Sequence, residues 1–208
     1  MSERSPQPRR AERQRVTRET DVHITLDLDT APVSPDALAI SSGAPFLDHM
    51  LTSFAWHGRI LLGVTATGDT HIDDHHTVED VGLTLGQTLR EALGERRGIA
   101  RFGSAYAPMD EALARAVVDI SGRPFLVYET GDIHIPERVG HFDTQLIEEF
   151  WRAFANESRV TLHLDLLRAR NAHHGFEALF KAAGLALRAA VRVDAAHGSI
   201  PSTKGALE

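Results

Sequence analysis

Two pairs of adjacent histidines are each followed, three residues after the second imidazole, by a glutamate. These two His-His motifs read His75-His76-Thr77-Val78-Glu79 and His173-His174-Gly175-Phe176-Glu177. Both run into apolar residues at helical spacing, and on a helix the carboxylate lies one turn from each ring. An imidazole and a carboxylate one turn apart can hold one divalent ion. Adjacent rings diverge by about 100° around the helix axis, so the pattern predicts two ions, or ions shared between surfaces.

The motifs belong to a longer internal repeat with an offset of 98 to 100 residues. It extends upstream and places His49 opposite Glu149. A single string of this kind is usually a surface or capping pair, but its repetition with an upstream partner favours metal binding. Imidazole and carboxylate donors without sulfur suit Mn, Fe or Zn, and the large number of donors favours six-coordinate Mn²⁺ or Fe²⁺. The candidate ligands are His49, His75, His76, Glu79, Glu149, His173, His174 and Glu177.

Basic residues among small polar ones suggest a phosphate cradle. Arg101, Arg123 and Lys204 lie in segments rich in Gly, Ser and Pro, and the last reads Pro201-Ser202-Thr203-Lys204-Gly205. Hydroxyl groups, a cation and a flexible backbone suit a phosphate. Each segment alone is also typical of a solvated turn.

The elements that must position these residues form two copies of one unit. Each half contains a helix, one or two strands and a longer helix that begins at its His-His motif. Strand patterns precede the first helix of each unit, at residues 22–28 and at 116–120 with 125–128. We therefore predict an α+β fold with two sheets, each covered by helices. The predicted divisions are a disordered basic tail over residues 1–14, a first repeat over 15–98 and a second over 99–208.

Composition excludes several classes of protein. The 208 residues are 42% hydrophobic and 25% charged, with a net charge of −7, which makes binding to nucleic acid through a basic surface a poor prospect. No apolar run is long enough to span a membrane, and residues 1–20 lack the apolar core of a signal peptide. With no Cys, we expect a cytoplasmic protein without disulfides or a thiolate metal site. Sequence motifs for dinucleotides, nucleoside triphosphates, serine hydrolases and zincin metalloproteases are absent, and ferritin-like bundles order their Glu and His the other way.

Four segments together resemble the imidazoleglycerol-phosphate dehydratase family of histidine biosynthesis. They are residues 45–51, residues 73–80, the second His-His motif through Ala182, and residues 201–205. The resemblance covers roughly residues 15–207. It implies two fused repeats of the ribosomal protein S5 domain 2-like type, a 24-subunit assembly, and two Mn²⁺ per active site built from neighbouring subunits. The implied reaction converts D-erythro-imidazole glycerol phosphate to imidazole acetol phosphate. No fused phosphatase domain is expected.

The resemblance also implies roles for single residues. Among the candidate ligands, Glu149 is a departure, because many members carry a ligating His there. Glu19 falls where the family has an active-site carboxylate, and we assign catalytic roles to it and to Glu177. The implied substrate-binding residues, chiefly for the phosphate, are Arg101, Arg123, Lys181, Ser202, Thr203 and Lys204.

Two other functions use the same residues. A dinuclear metallophosphatase would activate a water molecule and release phosphate. A storage or structural oligomer held together by metal would show no turnover. The remaining histidines, which include His57, His134 and His163, have no partner in the repeat and are predicted to be ordinary side chains.

Overall fold

A computed structural model describes residues 8–193 and 199–202. Its first half contains four strands and two helices. In chain order these are β1 (Arg10–Val16), β2 (Thr20–Asp27), β3 (Ala39–Ser41), α1 (Pro45–Gly58), β4 (Leu61–Gly68) and α2 (His75–Leu93). A short 3-10 turn at Pro35–Ala37 precedes β3.

The second half repeats this order with one addition. Its elements are β5 (Phe102–Met109), β6 (Ala112–Asp119), β7 (Phe125–Glu129), the small hairpin β8 (Arg138–Val139) and β9 (Phe142–Asp143), α3 (Leu146–Ser158), β10 (Thr161–Arg168) and α4 (Ala172–Val191). Only the β8–β9 hairpin has no counterpart in the first half.

The two sheets have the same topology. The strand orders are β1-β2-β4-β3 and β5-β6-β10-β7, with antiparallel pairing except for the last strand, which is parallel to its neighbour. Strand β2 alternates buried and exposed residues, which gives its sheet one face toward the helices and one toward solvent. The predicted α+β fold of two fused sheet-plus-helix units is confirmed.

The prediction of a disordered tail through residue 14 is wrong for its last residues. Strand β1 runs antiparallel to β2, with Arg10 opposite Asp27 and Val16 opposite Asp21. Arg9 anchors its beginning, because it pairs with Asp29 at 2.6 Å and also donates to a carbonyl of α4. The charged, apolar-poor composition that suggested disorder is also typical of a solvated edge strand, whose backbone hydrogen bonds do not depend on apolar side chains.

The helices pack across the repeat boundary. Helix α2 covers β1 and β2 and packs against α3, whereas α4 covers β5 and β6 and packs against α1. Glycine allows the close approach in both cases. A Cβ on Gly184 would collide with the carbonyl oxygen of Phe54, and one on Gly86 would lie 2.6 Å from that of Phe154. Each long helix is therefore held against the short helix of the other half.

The apolar core continues through both halves. Its largest fully buried side chains include Phe54, Phe150, Trp151 and Phe180, which contribute from α1, α3 and α4. Trp151 lies 4.7 Å from Phe180 between ring centroids. No helix among the described residues is long and apolar enough to cross a membrane.

Candidate active site

The two His-His motifs form the first turns of α2 and α4, as the sequence predicts. Side chains just before each motif cap the helix. Asp73 accepts a hydrogen bond from the N–H of His75 at 2.8 Å, and Asn171 accepts one from the N–H of His173 at 2.9 Å. Such caps satisfy backbone donors that have no partner inside the helix. The motif histidines therefore sit at fixed helix ends.

One group of donors converges between the halves. Nε2 of His49 on α1 lies 3.3 Å from Oε2 of Glu177 on α4, and Nε2 of His173 lies 3.4 Å from the same oxygen. The rings of His49 and His173 are 5.2 Å apart. All three donor atoms lie within 4.8 Å of one another. The repeat thus supplies one imidazole from its first half and an imidazole with a carboxylate from its second.

Glu177 is the most enclosed member of this group. Its side chain is only 10% exposed, and Lys181, one turn further along α4, contacts Oε1 at 2.5 Å. Burial acts to raise the pKa of Glu177, but hydrogen bonds and charge from Lys181 and His49 outweigh it and lower the pKa below its ordinary value. The carboxylate is therefore ionised at neutral pH, with Oε1 on Lys181 and Oε2 toward the two imidazoles.

His76 is oriented by a carboxylate that the sequence prediction did not include. Asp69, in the loop after β4, lies 3.0 Å from Nδ1 of His76. This hydrogen bond, followed by weaker effects of nearby acids, raises the pKa of His76 and lowers that of Asp69. Oε2 of Glu19 lies 3.9 Å from the same nitrogen. The predicted catalytic carboxylate and the first His-His motif thus lie side by side.

His174 has the same arrangement in the second repeat, with a different donor. Glu111, in the hairpin between β5 and β6, lies 2.9 Å from Nδ1 of His174 and accepts hydrogen bonds from the backbone of Arg170 and Asn171. The hydrogen bond to His174, then the backbone hydrogen bonds, lower the pKa of Glu111 to about 2. In each repeat, a carboxylate on Nδ1 leaves Nε2 of the second motif histidine as the nitrogen available to a ligand.

The candidate ligands around the first His-His motif, one of them on α3 of the second repeat, are further apart. Nε2 of His75 lies 3.9 Å from Oε2 of Glu79, and Glu149 on α3 lies 3.6 Å from Arg152 rather than beside either of them. Among the described residues, the one compact group of metal-type donors is that of His49, His173 and Glu177. Glu149 as a ligand stays a prediction.

The predicted phosphate-binding residues are only partly brought together. Arg101 is held by Asp119 at 2.7 Å, and it donates to the carbonyl of Pro201 at 2.9 Å, directly before Ser202. Arg123 is exposed on the loop before β7. Lys181 lies at the donor group described above, and Thr203 and Lys204 lie outside the described residues.

Asp69 and Glu111 are the functional candidates that sequence reasoning missed. The repeat could not indicate them, because one follows a strand and the other occupies a hairpin turn, and they have no common offset. A weaker signal was present: carboxylates next to predicted metal-binding histidines are expected in general.

The donor chemistry fits a divalent cation. Two imidazole nitrogens and one ionised carboxylate oxygen converge on one point, and the carboxylate is enclosed by protein. These donor types are those that Mn, Fe and Zn accept in proteins.

The two-repeat α+β fold brings imidazole and carboxylate side chains of both repeats together, an arrangement typical of a metal-dependent enzyme. The family profile for imidazoleglycerol-phosphate dehydratase matches residues 42–187. The chain belongs to the imidazoleglycerol-phosphate dehydratase family and is a hydro-lyase.

Similar proteins extend over nearly the whole chain. The imidazoleglycerol-phosphate dehydratase of Ralstonia nicotianae is 55% identical over 203 residues, which is 96% of this chain and 99% of that protein. That of Teredinibacter turnerae is 51% identical over 205 residues, or 97% and 100% of the two chains. The crystal structure of the Staphylococcus aureus enzyme has a TM-score of 0.77 at 42% identity and covers 88% of this chain and 99% of that one. The Pyrococcus furiosus structure has a TM-score of 0.78 at 37% identity and covers 94% and 100%.

Proposed function

We propose that this protein dehydrates D-erythro-imidazole glycerol phosphate to imidazole acetol phosphate in histidine biosynthesis, with Mn²⁺ as cofactor. The observation that carries the proposal is the meeting of His49, His173 and Glu177 at one point, next to Lys181. Membership of the dehydratase family supports the same reaction.

The reaction requires a way to remove a proton from a carbon atom that no carbonyl group activates. In the proposal, His49, His173 and Glu177 hold one Mn²⁺, and His75, His76, Glu79 and His174 contribute to a second, with Glu149 as a further candidate. Mn²⁺ held by these residues would supply Lewis acidity to the imidazole of the substrate. Asp69 and Glu111 keep the Nε2 atoms of His76 and His174 available as donors.

Glu19 is the proposed general acid and base. Its side chain is half exposed, and it lies 3.9 Å from the imidazole of His76. An exposed carboxylate at the edge of a polar site can accept a proton from a bound substrate and return it to the departing hydroxyl group. Glu177, which is enclosed and ionised, has the complementary role of holding charge at a fixed point.

The proposed phosphate site combines cations and hydroxyl groups from separate parts of the chain. Lys181 places one positive charge beside the donor group. Arg101 holds the carbonyl of Pro201 and so fixes the backbone that leads to Ser202. The remaining members are Arg123, Thr203 and Lys204.

The proposal includes a 24-subunit assembly with shared active sites. Two features support sharing. His75 and Glu79 form no compact group with other donors of the described chain, and His174 lies on a different helix from them. In the proposal, a second copy of the chain completes the set of metal donors to which His75 and Glu79 belong. A mass measurement of the intact assembly, with and without Mn²⁺, tests this, and a monomeric active enzyme would contradict it.

The reaction itself is tested with imidazole glycerol phosphate and purified protein. The expected product is imidazole acetol phosphate, detected by the loss of one water in mass spectrometry, with no free phosphate. Release of phosphate without loss of the hydroxyl group would instead favour a metallophosphatase.

Metal analysis of protein purified without chelator is expected to give two Mn²⁺ per site. The cytoplasmic location stays a prediction, which cell fractionation tests.

A further inference from the structure

Three arginines gather where α2 and α3 end. Arg90 lies in the last turn of α2, Arg96 follows shortly after that helix, and Arg159 caps the end of α3. The helix ends are close because Gly86 has no side chain: a Cβ there would lie 2.9 Å from the backbone nitrogen of Ser158. Arg90 is one turn further along α2 from Gly86, which places it next to the segment that carries Arg159.

Arg96 is buried, and its side chain has no partner among the residues that the structure describes. The residue is only 8% exposed, and its Nε is sealed from solvent and makes no hydrogen bond. None of the described residues forms an ion pair with it. Arg101 provides the contrast, because its enclosed guanidinium is matched by Asp119 at 2.7 Å. A buried guanidinium without an anion is costly, and proteins normally pair such groups.

The surroundings of Arg96 are positive. Burial, then the charges of Arg90 and Arg159, lower the pKa of Arg96. The carbonyl ends of α2 and α3 contribute only about half a negative charge each, against three guanidinium charges. Among the described residues that act on Arg96, positive charge therefore predominates, which favours an anion at this point.

We propose that Arg90, Arg96 and Arg159 form a binding site for a multiply charged oxyanion of the phosphate class. Guanidinium groups bind phosphate oxygens through paired N–H donors, and a partly enclosed site strengthens such contacts. The site is separate from the catalytic donors: Arg90 and His75 are at opposite ends of α2, roughly 22 Å apart along the helix axis.

The other helix pair, α1 and α4, has related arginines without the buried one. Arg59 and Arg188 occupy the corresponding positions at the ends of α1 and α4, and both line an open groove of about 790 Å³. Both are exposed. The buried Arg96 therefore distinguishes the site at the ends of α2 and α3 and provides the position to test.

The experiment uses the intact oligomer and inorganic phosphate, with sodium chloride to hold ionic strength constant. Phosphate binding is measured by calorimetry and by the rise in Tm, for the wild type, Arg96→Met and the control Arg97→Met. Arg97 is an exposed neighbour that already pairs with Glu95. We expect Arg97→Met to behave as the wild type. Arg96→Met is expected to lose one class of phosphate sites, where its affinity for phosphate falls at least about tenfold. Without phosphate, Arg96→Met is expected to melt no lower than the wild type, because it removes an unpaired buried charge.

The catalytic phosphate site is monitored separately. Phosphate binding and Tm need no turnover, so they test the proposal whether or not the proposed reaction is correct. The KM for imidazole glycerol phosphate is expected to be unchanged in Arg96→Met. The same number of phosphate sites and the same Tm rise in all three proteins would overturn it. A change of oligomer mass in Arg96→Met that does not depend on phosphate would also overturn it, in favour of a carboxylate from a second copy. If Arg96→Met does not fold, the double variant Arg90→Met with Arg159→Met, at two exposed positions, is expected to show the same loss.

Discussion

His49 and Glu177 are 128 residues apart in the chain, and their Nε2 and Oε2 atoms lie 3.3 Å apart. They belong to different repeats, and the contact exists because α1 of the first repeat packs on α4 of the second. The candidate active site is therefore a product of the way the two repeats are joined, rather than of either repeat alone.

Glu177→Gln is expected to abolish metal binding at this group. The amide keeps the shape of the side chain but removes the charge that two imidazoles and Lys181 share. Metal affinity, measured by calorimetry with Mn²⁺, should fall by more than the roughly 10- to 100-fold that follows loss of an outer hydrogen-bond partner. His163→Gln is the control, since His163 is exposed on β10. Equal losses in the two variants would contradict the assignment of Glu177.

Asp69→Asn and Glu111→Gln are each expected to weaken Mn²⁺ binding roughly 10- to 100-fold, because both carboxylates orient an imidazole through Nδ1. Glu111→Gln should also lower Tm, since Glu111 accepts hydrogen bonds from the backbone before α4. A matched control exists in Glu12→Gln, where an exposed carboxylate lies 2.7 Å from Nε2 of His23. If Glu12→Gln reduced metal binding as much as the other two, orientation by Nδ1 would not be the cause.

Gly184→Ala is expected to separate α1 from α4. The new methyl group would collide with the carbonyl oxygen of Phe54, which destabilises the fold by about 1 to 3 kcal/mol and moves His49 away from Glu177. Gly86→Ala makes the corresponding collision between α2 and α3, with Phe154 at 2.6 Å. Both variants should melt at lower temperature, but only Gly184→Ala should lose metal at the His49 group. Unchanged metal binding in a folded Gly184→Ala protein would show that the close approach does not position these donors.

Asp29→Asn is expected to remove a pH-dependent part of the stability. The hydrogen bond from Arg9 lowers the pKa of Asp29 below its ordinary value of 3.8 in the folded state. The stabilisation is therefore complete above that value and is lost as the pH falls through the lower, folded-state pKa. Because Asp29 is about half exposed, the effect should stay within about 1 kcal/mol.

The measurement for Asp29 is the difference in unfolding free energy between variant and wild type across pH 2 to about 7. This difference should shrink at the acid end. Asp21→Asn serves as control, since Asp21 accepts a hydrogen bond from Gln14 rather than from an arginine. A difference for Asp29→Asn that did not vary with pH would rule out the ion pair as its source.

Arg101→Lys is expected to raise the KM for the phosphorylated substrate with little change in kcat. Lysine keeps the charge, but it cannot bind both oxygens of Asp119 and the carbonyl of Pro201 at the same time. The segment that leads to Ser202 would then be less firmly placed. Steady-state kinetics check this, and a fall in kcat at unchanged KM would assign Arg101 to the chemical step instead.

Much of the fold could be predicted because it is periodic. The helical spacing after each His-His motif and the alternation in residues 22–28 depend only on which side chains face the core, and the repeat doubled each signal. Strand β1 could not be found in this way. Its stability comes from backbone pairing with β2 and from Arg9 on Asp29, and neither leaves an apolar pattern.

The sequence by itself determined which residue types recur: the repeated imidazole–carboxylate motif and its upstream partner predict His49, His173 and Glu177 as metal donors. Only the tertiary structure decided that these three meet while Glu149, which corresponds to His49 in the repeat, pairs with Arg152. It also decided which carboxylates orient His76 and His174, and it left Nε of Arg96 without a hydrogen bond from any described residue. The physical reason is that donor type is a local property, whereas distance depends on how helices from different repeats pack, here on whether Gly184 lets two backbones touch.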